Sequence, residues 1–147
     1  MFARIVVGTD GSDTAREAVR EATQLAKQTG ATLDVVSAYE PVPQSRLREE
    51  LIEAPSDIEH MVNPHEDVDA MLKQAAEEIK KAGVTARTFA RQGEPADAIL
   101  DVAEEENADL IVVGNKGMTG AKRFLLGSVP NKVSHHAPCS VLIVRTT

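Results

Sequence analysis

Residues Ile111 to Val129 read IVVGNKGMTGAKRFLLGSV. With Leu110 in front, the opening is an unbroken apolar run, as required of a strand covered on both faces. Glycines follow at 114, 117, 120 and 127, and Gly127-Ser128 precedes a helical pattern carrying Val129, Val133 and Ala137. Strand, glycine-rich loop and helix in that order are the parts of an α/β crossover. Glycine costs conformational entropy, so four of them in one loop call for something that must approach the backbone closely. Backbone amides at the positive end of a helix suit an anion, phosphate above all.

Working outward, the same alternation recurs along the chain. Phe2 to Val7 reads as a strand that ends at the turn cluster Gly8-Thr9-Asp10-Gly11-Ser12. From Ser12 as N-cap, Ala15, Ala18, Val19, Ala22, Leu25 and Ala26 recur at helical spacing until Gly30. Leu33 to Tyr39 is a second strand, stopped by Pro41 and Pro43. Residues 40–63 are expected to be the least ordered part, with a short helix over Ser45 to Glu53 at most. Asn63 as N-cap, Pro64 and Glu66 then start a helix that runs to about Gly83. Val84 to Ala90 alternates weakly and is expected at a sheet edge. Glu94-Pro95 opens a third helix, Leu110 to Val113 forms a central strand, Ser128 opens a fourth helix, and Ser140 to Val144 is the last strand. Five strands separated by helices predict an α/β fold: a parallel sheet with helices on both faces, in one domain over residues 1–147. Ligands of such sheets bind at the carboxyl ends of the strands, where Gly8 to Ser12 and Gly114 to Ser128 lie.

Charge narrows the partners. The 147 residues carry a net charge of −7, which repels a phosphate backbone, and Phe2, Phe89, Phe124 and Tyr39 are too scattered for a base-stacking platform. No nucleic-acid partner is expected. Cys139 is the sole cysteine, so a reducing, cytoplasmic setting is expected, and no apolar run approaches the ~20 residues of a membrane span. No membrane insertion is expected either.

Neither G-x-x-x-x-G-K-[ST] nor G-x-G-x-x-G occurs. The spacing present is Gly114-x2-Gly117-x9-Gly127-Ser128. Together with IVVGTDGSDTAREAV from Ile5, DLIVVGNKG from Asp109 and LLGSVPNKVSHHAPCSVLIV from Leu125, it makes the whole chain resemble the universal stress protein family. Within that family it resembles the ATP-binding branch, whose signature is G-x2-G-x9-G-[ST].

The resemblance implies a Rossmann-like, adenine nucleotide alpha hydrolase-type sheet in the order 3-2-1-4-5. Gly8, Thr9 and Asp10 would then face Gly114 to Val129 across one crevice that holds ATP, with AMP or cyclic AMP as competitors. Carried over, Gly114, Gly117, Gly127, Ser128 and Val129 hold ribose and phosphates, and the Ala38 backbone contacts adenine. Thr9 and Asp10 lie near the phosphates or a nucleotide-bound Mg²⁺. Gly8 stands where some relatives have proline. Lys116 is the cation expected to reach a phosphate, while Lys122 and Arg123 add local positive charge.

Plainer duties compete at several positions. Ser128 is a natural N-cap as well as a phosphate donor, and Asp10 a natural cap for the first helix as well as a metal or phosphate-side group. Gly120 lies outside the signature and reads as turn geometry. His60 and His65, among Asp57, Glu59, Glu66 and Asp67, match no metal spacing and read as a solvated acidic loop. His135-His136 ends the last helix, where imidazolium favours the negative dipole end. No nucleophile with an adjacent base can be assembled, and a strand ending Val144-Arg145-Thr146-Thr147 lacks the lysine of a phosphoacceptor domain. The expected function is a nucleotide-responsive stress-response module read by an unidentified protein partner, and a homodimer through the edge of the last strand. The alternatives are a slow ATPase using Asp10, or an interaction module with an empty pocket.

Overall fold

The chain alternates apolar residues so that each strand faces two layers at once. The computed structural model describes residues 1–40, 64–115 and 126–146. Its elements are β1 (Arg4–Gly8), α1 (Asp13–Thr29), β2 (Thr32–Tyr39), α2 (Pro64–Lys81), β3 (Ala86–Gln92), α3 (Pro95–Glu105), β4 (Leu110–Gly114), α4 (Ser128–His136) and β5 (Ser140–Val144). The strands form one parallel sheet in the order β3-β2-β1-β4-β5, a Rossmann-like arrangement.

Ile5, Val7, Leu33, Val35, Leu110 and Val112 point to one face, where they pack with Ala18, Ala22 and Ala26 of α1 and Leu72 and Ile79 of α2. Val6, Val36, Ile111 and Val113 point to the other, against Ile99 and Val102 of α3 and Val133 of α4. Burying each such aliphatic side chain contributes about 1.5–3 kcal/mol relative to exposure, so the strand alternation itself specifies the three layers. The three buried alanines bring α1 close to the sheet. That helix is bounded as its sequence demands: Ser12 Oγ accepts the Ala15 amide, and Gly30 takes the left-handed conformation at φ +74° while its N–H bonds the Ala26 carbonyl.

Several boundaries differ from expectation. β1 begins at Arg4 rather than Phe2. β3 begins two residues later than its alternation suggests, because Val84 is spent closing α2: its amide bonds the Ile79 carbonyl at 3.3 Å and its side chain enters the α1–α2 core. β3 is an edge strand, as its weak alternation indicates. β4 is interior but not central; β1 holds the middle of the sheet. Ser128 is not the N-cap of α4, for Gly127 occupies that place and Ser128 is the first helical residue. The expected helix over Ser45 to Glu53, the Asn63 cap and His60 lie outside the described residues.

One fully buried acid interrupts the apolar run of β2. The Asp34 carboxylate receives both Arg87 Nε and Arg87 Nη2 at 2.8 Å, and Arg87 Nη2 also reaches Glu106 at 3.1 Å. Arg4 then joins Glu106 at 3.1 Å, so four charges bind the neighbouring strands to the end of α3. These carboxylates raise the Arg87 pKa above its ordinary value.

Candidate functional site

Because β1 and β4 are neighbours whose following segments lead to α1 and α4, their carboxyl ends leave a crevice between diverging connections. A cavity of about 260 Å³ occupies it. Gly8, Thr9 and Asp10 line it from the β1 side, Gly114 from β4, Val129 from the first turn of α4, and Ala38 from the end of β2. The inner wall is apolar, built by Val36, Val113, Ile99 and Pro130.

The β1 loop is held by its own polar side chains. The Thr9 amide bonds the Val36 carbonyl at 2.9 Å, and Thr9 Oγ1 accepts the Gly11 amide at 3.1 Å. Asp10 Oδ1 accepts the Ser12 amide at 2.9 Å, an Asx turn that leads into the Ser12 cap. Asp10 therefore supports the entry to α1 without being its N-cap. It is exposed, and its Oδ2 has no hydrogen-bond partner among the described residues.

On the β4 side, Asn115 clasps three segments. Its amide bonds the Val144 carbonyl at 2.8 Å, and its carbonyl accepts the Gly127 amide at 3.0 Å. Its Oδ1 accepts both the amide and the hydroxyl of Thr146, at 2.8 and 3.0 Å. The two ends of the glycine-rich segment are thus drawn together at the crevice. Gly127 is buried with φ −62° and ψ 165°, a conformation open to any residue, so backbone freedom is not what calls for glycine there.

The structure brings Gly8, Thr9, Asp10, Ala38, Gly114 and Val129 into one cavity. Gly127 and Ser128 stand at the start of α4 beside it without lining it. Lys116, Gly117, Gly120, Lys122 and Arg123 lie outside the described residues. His65 is engaged elsewhere: it pairs with Asp69 at 3.3 Å and stacks on Tyr39 with centroids 4.6 Å apart. Among the described residues no group of three or more His, Cys, Asp or Glu side chains converges on a metal position. His135 and His136 fall in the last turn of α4, as their sequence position indicates.

Sequence reading passed over Ile99, Pro130 and Asn115. Ile99 belongs to a helix whose periodicity marks it only as core. Its role at the crevice follows from the approach to Gly8, where an added Cβ would run into Ile99 Cδ1 and meet Cγ1 at 2.9 Å. Asn115 carried one signal, an amide side chain directly after a strand.

The crevice has what a nucleoside with an anionic tail needs: an apolar slot flanked by strand-end backbone, and the first turn of a helix at its mouth. Among the described residues it holds no nucleophile paired with a base. Among the described residues, no helix is long and apolar enough to cross a membrane.

Comparison with known proteins agrees with this fold. Residues 1–145 match the model of the universal stress protein family. The chain is 39% identical over 149 residues to the universal stress protein Rv1636 of Mycobacterium tuberculosis, covering 99% of this chain and 98% of that one. It superposes with a TM-score of 0.73 on a universal stress protein solved in complex with cAMP, at 34% identity and with 99% and 98% of the two chains covered. A universal stress protein from Archaeoglobus fulgidus in complex with dAMP gives a TM-score of 0.66 at 29% identity, covering 97% and 98%.

Proposed function

Because the chain belongs to the universal stress protein family, we propose that it binds an adenine nucleotide in the β1–β4 crevice and serves as a nucleotide-responsive regulatory module. The observation that carries this reading is the meeting of Gly8, Thr9, Asp10, Ala38, Gly114 and Val129 around one apolar-walled cavity. The solved relatives holding cAMP and dAMP support an adenine ring as the guest. The ring lies against Val36, Ala38 and Val113, and the phosphates lie toward the first turn of α4, at Gly127, Ser128 and Val129. The signature spacing favours ATP, with Lys116 and Gly117 on its phosphates, over AMP or cyclic AMP. Asp10 Oδ2 faces a nucleotide-bound Mg²⁺. The setting is cytoplasmic, the whole chain acts as one domain, and a protein partner reads the occupancy.

A test separates space from backbone strain. Since Gly127 has an ordinary φ, Gly127→Val is expected to keep the fold and to lose at least ten-fold in ATP affinity by calorimetry with Mg²⁺ present, a change of about 1.4 kcal/mol. Gly120→Ala, outside the signature, is expected to lose little. If Gly127→Val binds within about three-fold of wild type, the phosphates lie elsewhere. Hydrolysis is expected to be negligible, and phosphate release above about one per second would promote the slow ATPase to first place.

A homodimer belongs to the same proposal. β5 is an edge strand that exposes Leu142 at 40% and Ile143 at 37%, an apolar edge that pairing with a second copy would cover.

A further inference from the structure

A larger cavity, about 500 Å³, lies beside the crevice in the groove between α1 and α2. Its base is apolar: Val19, Ala75 and Ile79 line it and are partly or wholly buried. Its α1 rim is basic and exposed, carrying Arg16, Arg20 and Lys27, and its α2 rim carries Gln74 and a single acid, Glu78. At 100° per residue these three cations fall within about 40° of one another around the helix, and they extend along it for roughly 16 Å. Arg20 reaches Glu17 at 2.7 Å, whereas Arg16 and Lys27 have no ion-pair partner among the described residues. Such a basic stripe runs against the character of a chain with net charge −7.

We infer that this groove docks an acidic amphipathic helix of a partner protein. Its apolar side chains would rest on Val19, Ala75 and Ile79, and its carboxylates would run along Arg16, Arg20 and Lys27. The distribution of charge decides the class of occupant. A single phosphate or carboxylate head group needs cations converging on one point, and these are strung out along one wall. A helix bearing acids on one flank presents charges at matching intervals, and apolar residues at i, i+3, i+4 and i+7 meet the apolar base. None of the three cations lines the crevice, which shares Thr9 and Met71 with this groove.

The probes are two synthetic 16-residue helical peptides with leucines at i, i+3, i+4 and i+7, flanked by glutamates in one and by lysines in the other. In a ¹⁵N NMR titration the glutamate peptide is expected to shift the amides of Val19, Thr23, Ala75 and Ile79 saturably, and the lysine peptide to leave them unmoved. The variant Arg16→Glu/Arg20→Glu/Lys27→Glu is expected to lose at least about ten-fold in affinity for the glutamate peptide and to gain binding of the lysine peptide. Lys27→Glu alone, at the exposed end of α1, is expected to weaken the glutamate peptide about three-fold and serves if the triple variant does not fold. Equal binding of both peptides, shifts that map outside the groove, or no saturation up to about 1 mM would each overturn the inference.

Discussion

At Gly8 an added methyl group would collide with Cδ1 and Cγ1 of the Ile99 side chain. Gly8→Ala is therefore expected to cost about 1–3 kcal/mol in urea unfolding. Ile99→Val removes Cδ1, the nearer of the two atoms, so the same Gly8→Ala change should cost measurably less in that background; an undiminished cost would show that the contact is not the cause. Asp34 poses the opposite problem, a charge wholly withdrawn from water and held by one bidentate cation. Arg87→Met leaves that carboxylate uncompensated and is expected to cost about 3–5 kcal/mol, most of it recovered in the Asp34→Leu/Arg87→Met double variant. Failure of the double variant to recover would mean that Glu106 and Arg4 depend on the pair. Cys139 is a proton-linked residue: burial, reinforced by Asp109, pushes its thiol pKa above the ordinary thiol value. The folded state holds this proton more tightly than the unfolded one, so the contribution is full below the ordinary thiol pKa and fades as pH rises through the raised value. Alkylation of the folded protein by iodoacetamide at pH 8 should accordingly run slower than that of the urea-unfolded chain, and Cys139→Ser should flatten the alkaline loss of stability.

The elements were most legible where one sequence signal served one structural duty. The run Leu110 to Val113 needed both faces covered and is covered. Ser12 and Gly30 bound α1 as their side chains dictate. Legibility failed where a residue served two neighbours: Val84 has strand chemistry but seals the end of α2, and Ser128 looks like a cap because the true cap, Gly127, has no side chain to announce it. The crevice divides the same way. Its glycines and Asp10 stand in a readable motif, whereas Ile99 and Asn115 acquire their roles only through contacts across the sheet. The strand order was legible only through the family resemblance, since alternation fixes which face a residue takes and not which strand is its neighbour. For α1 a clean measurement is available at Gly30, where an added Cβ would meet nothing within 4 Å and only the left-handed φ opposes a side chain. Gly30→Ala is expected to cost about 1 kcal/mol and Gly30→Asn less, read from thermal unfolding; equal costs would show that the left-handed φ is not what sets the penalty.

For the molecule as a whole, the exposed apolar edge of β5 bears on assembly. If two copies meet there, Leu142→Lys/Ile143→Lys should convert a dimer at micromolar concentration into a monomer in sedimentation velocity while circular dichroism stays unchanged. A wild-type monomer would remove the edge from consideration. The Asn115 clasp has a consequence of a different kind. By tying Gly127 and Val144 to one residue, it fixes where the chain leaves β4 and where it enters α4, beside the end of β5. The entropy of closing a loop grows only logarithmically, by about 0.6 kcal/mol for each doubling of length. Lengthening the chain between residues 117 and 126 is therefore expected to cost the fold little, while breaking the nine-residue spacing from Gly117 to Gly127 on which the phosphate reading depends. Stability and nucleotide binding should accordingly part company in such a variant, the framework holding while ATP is lost.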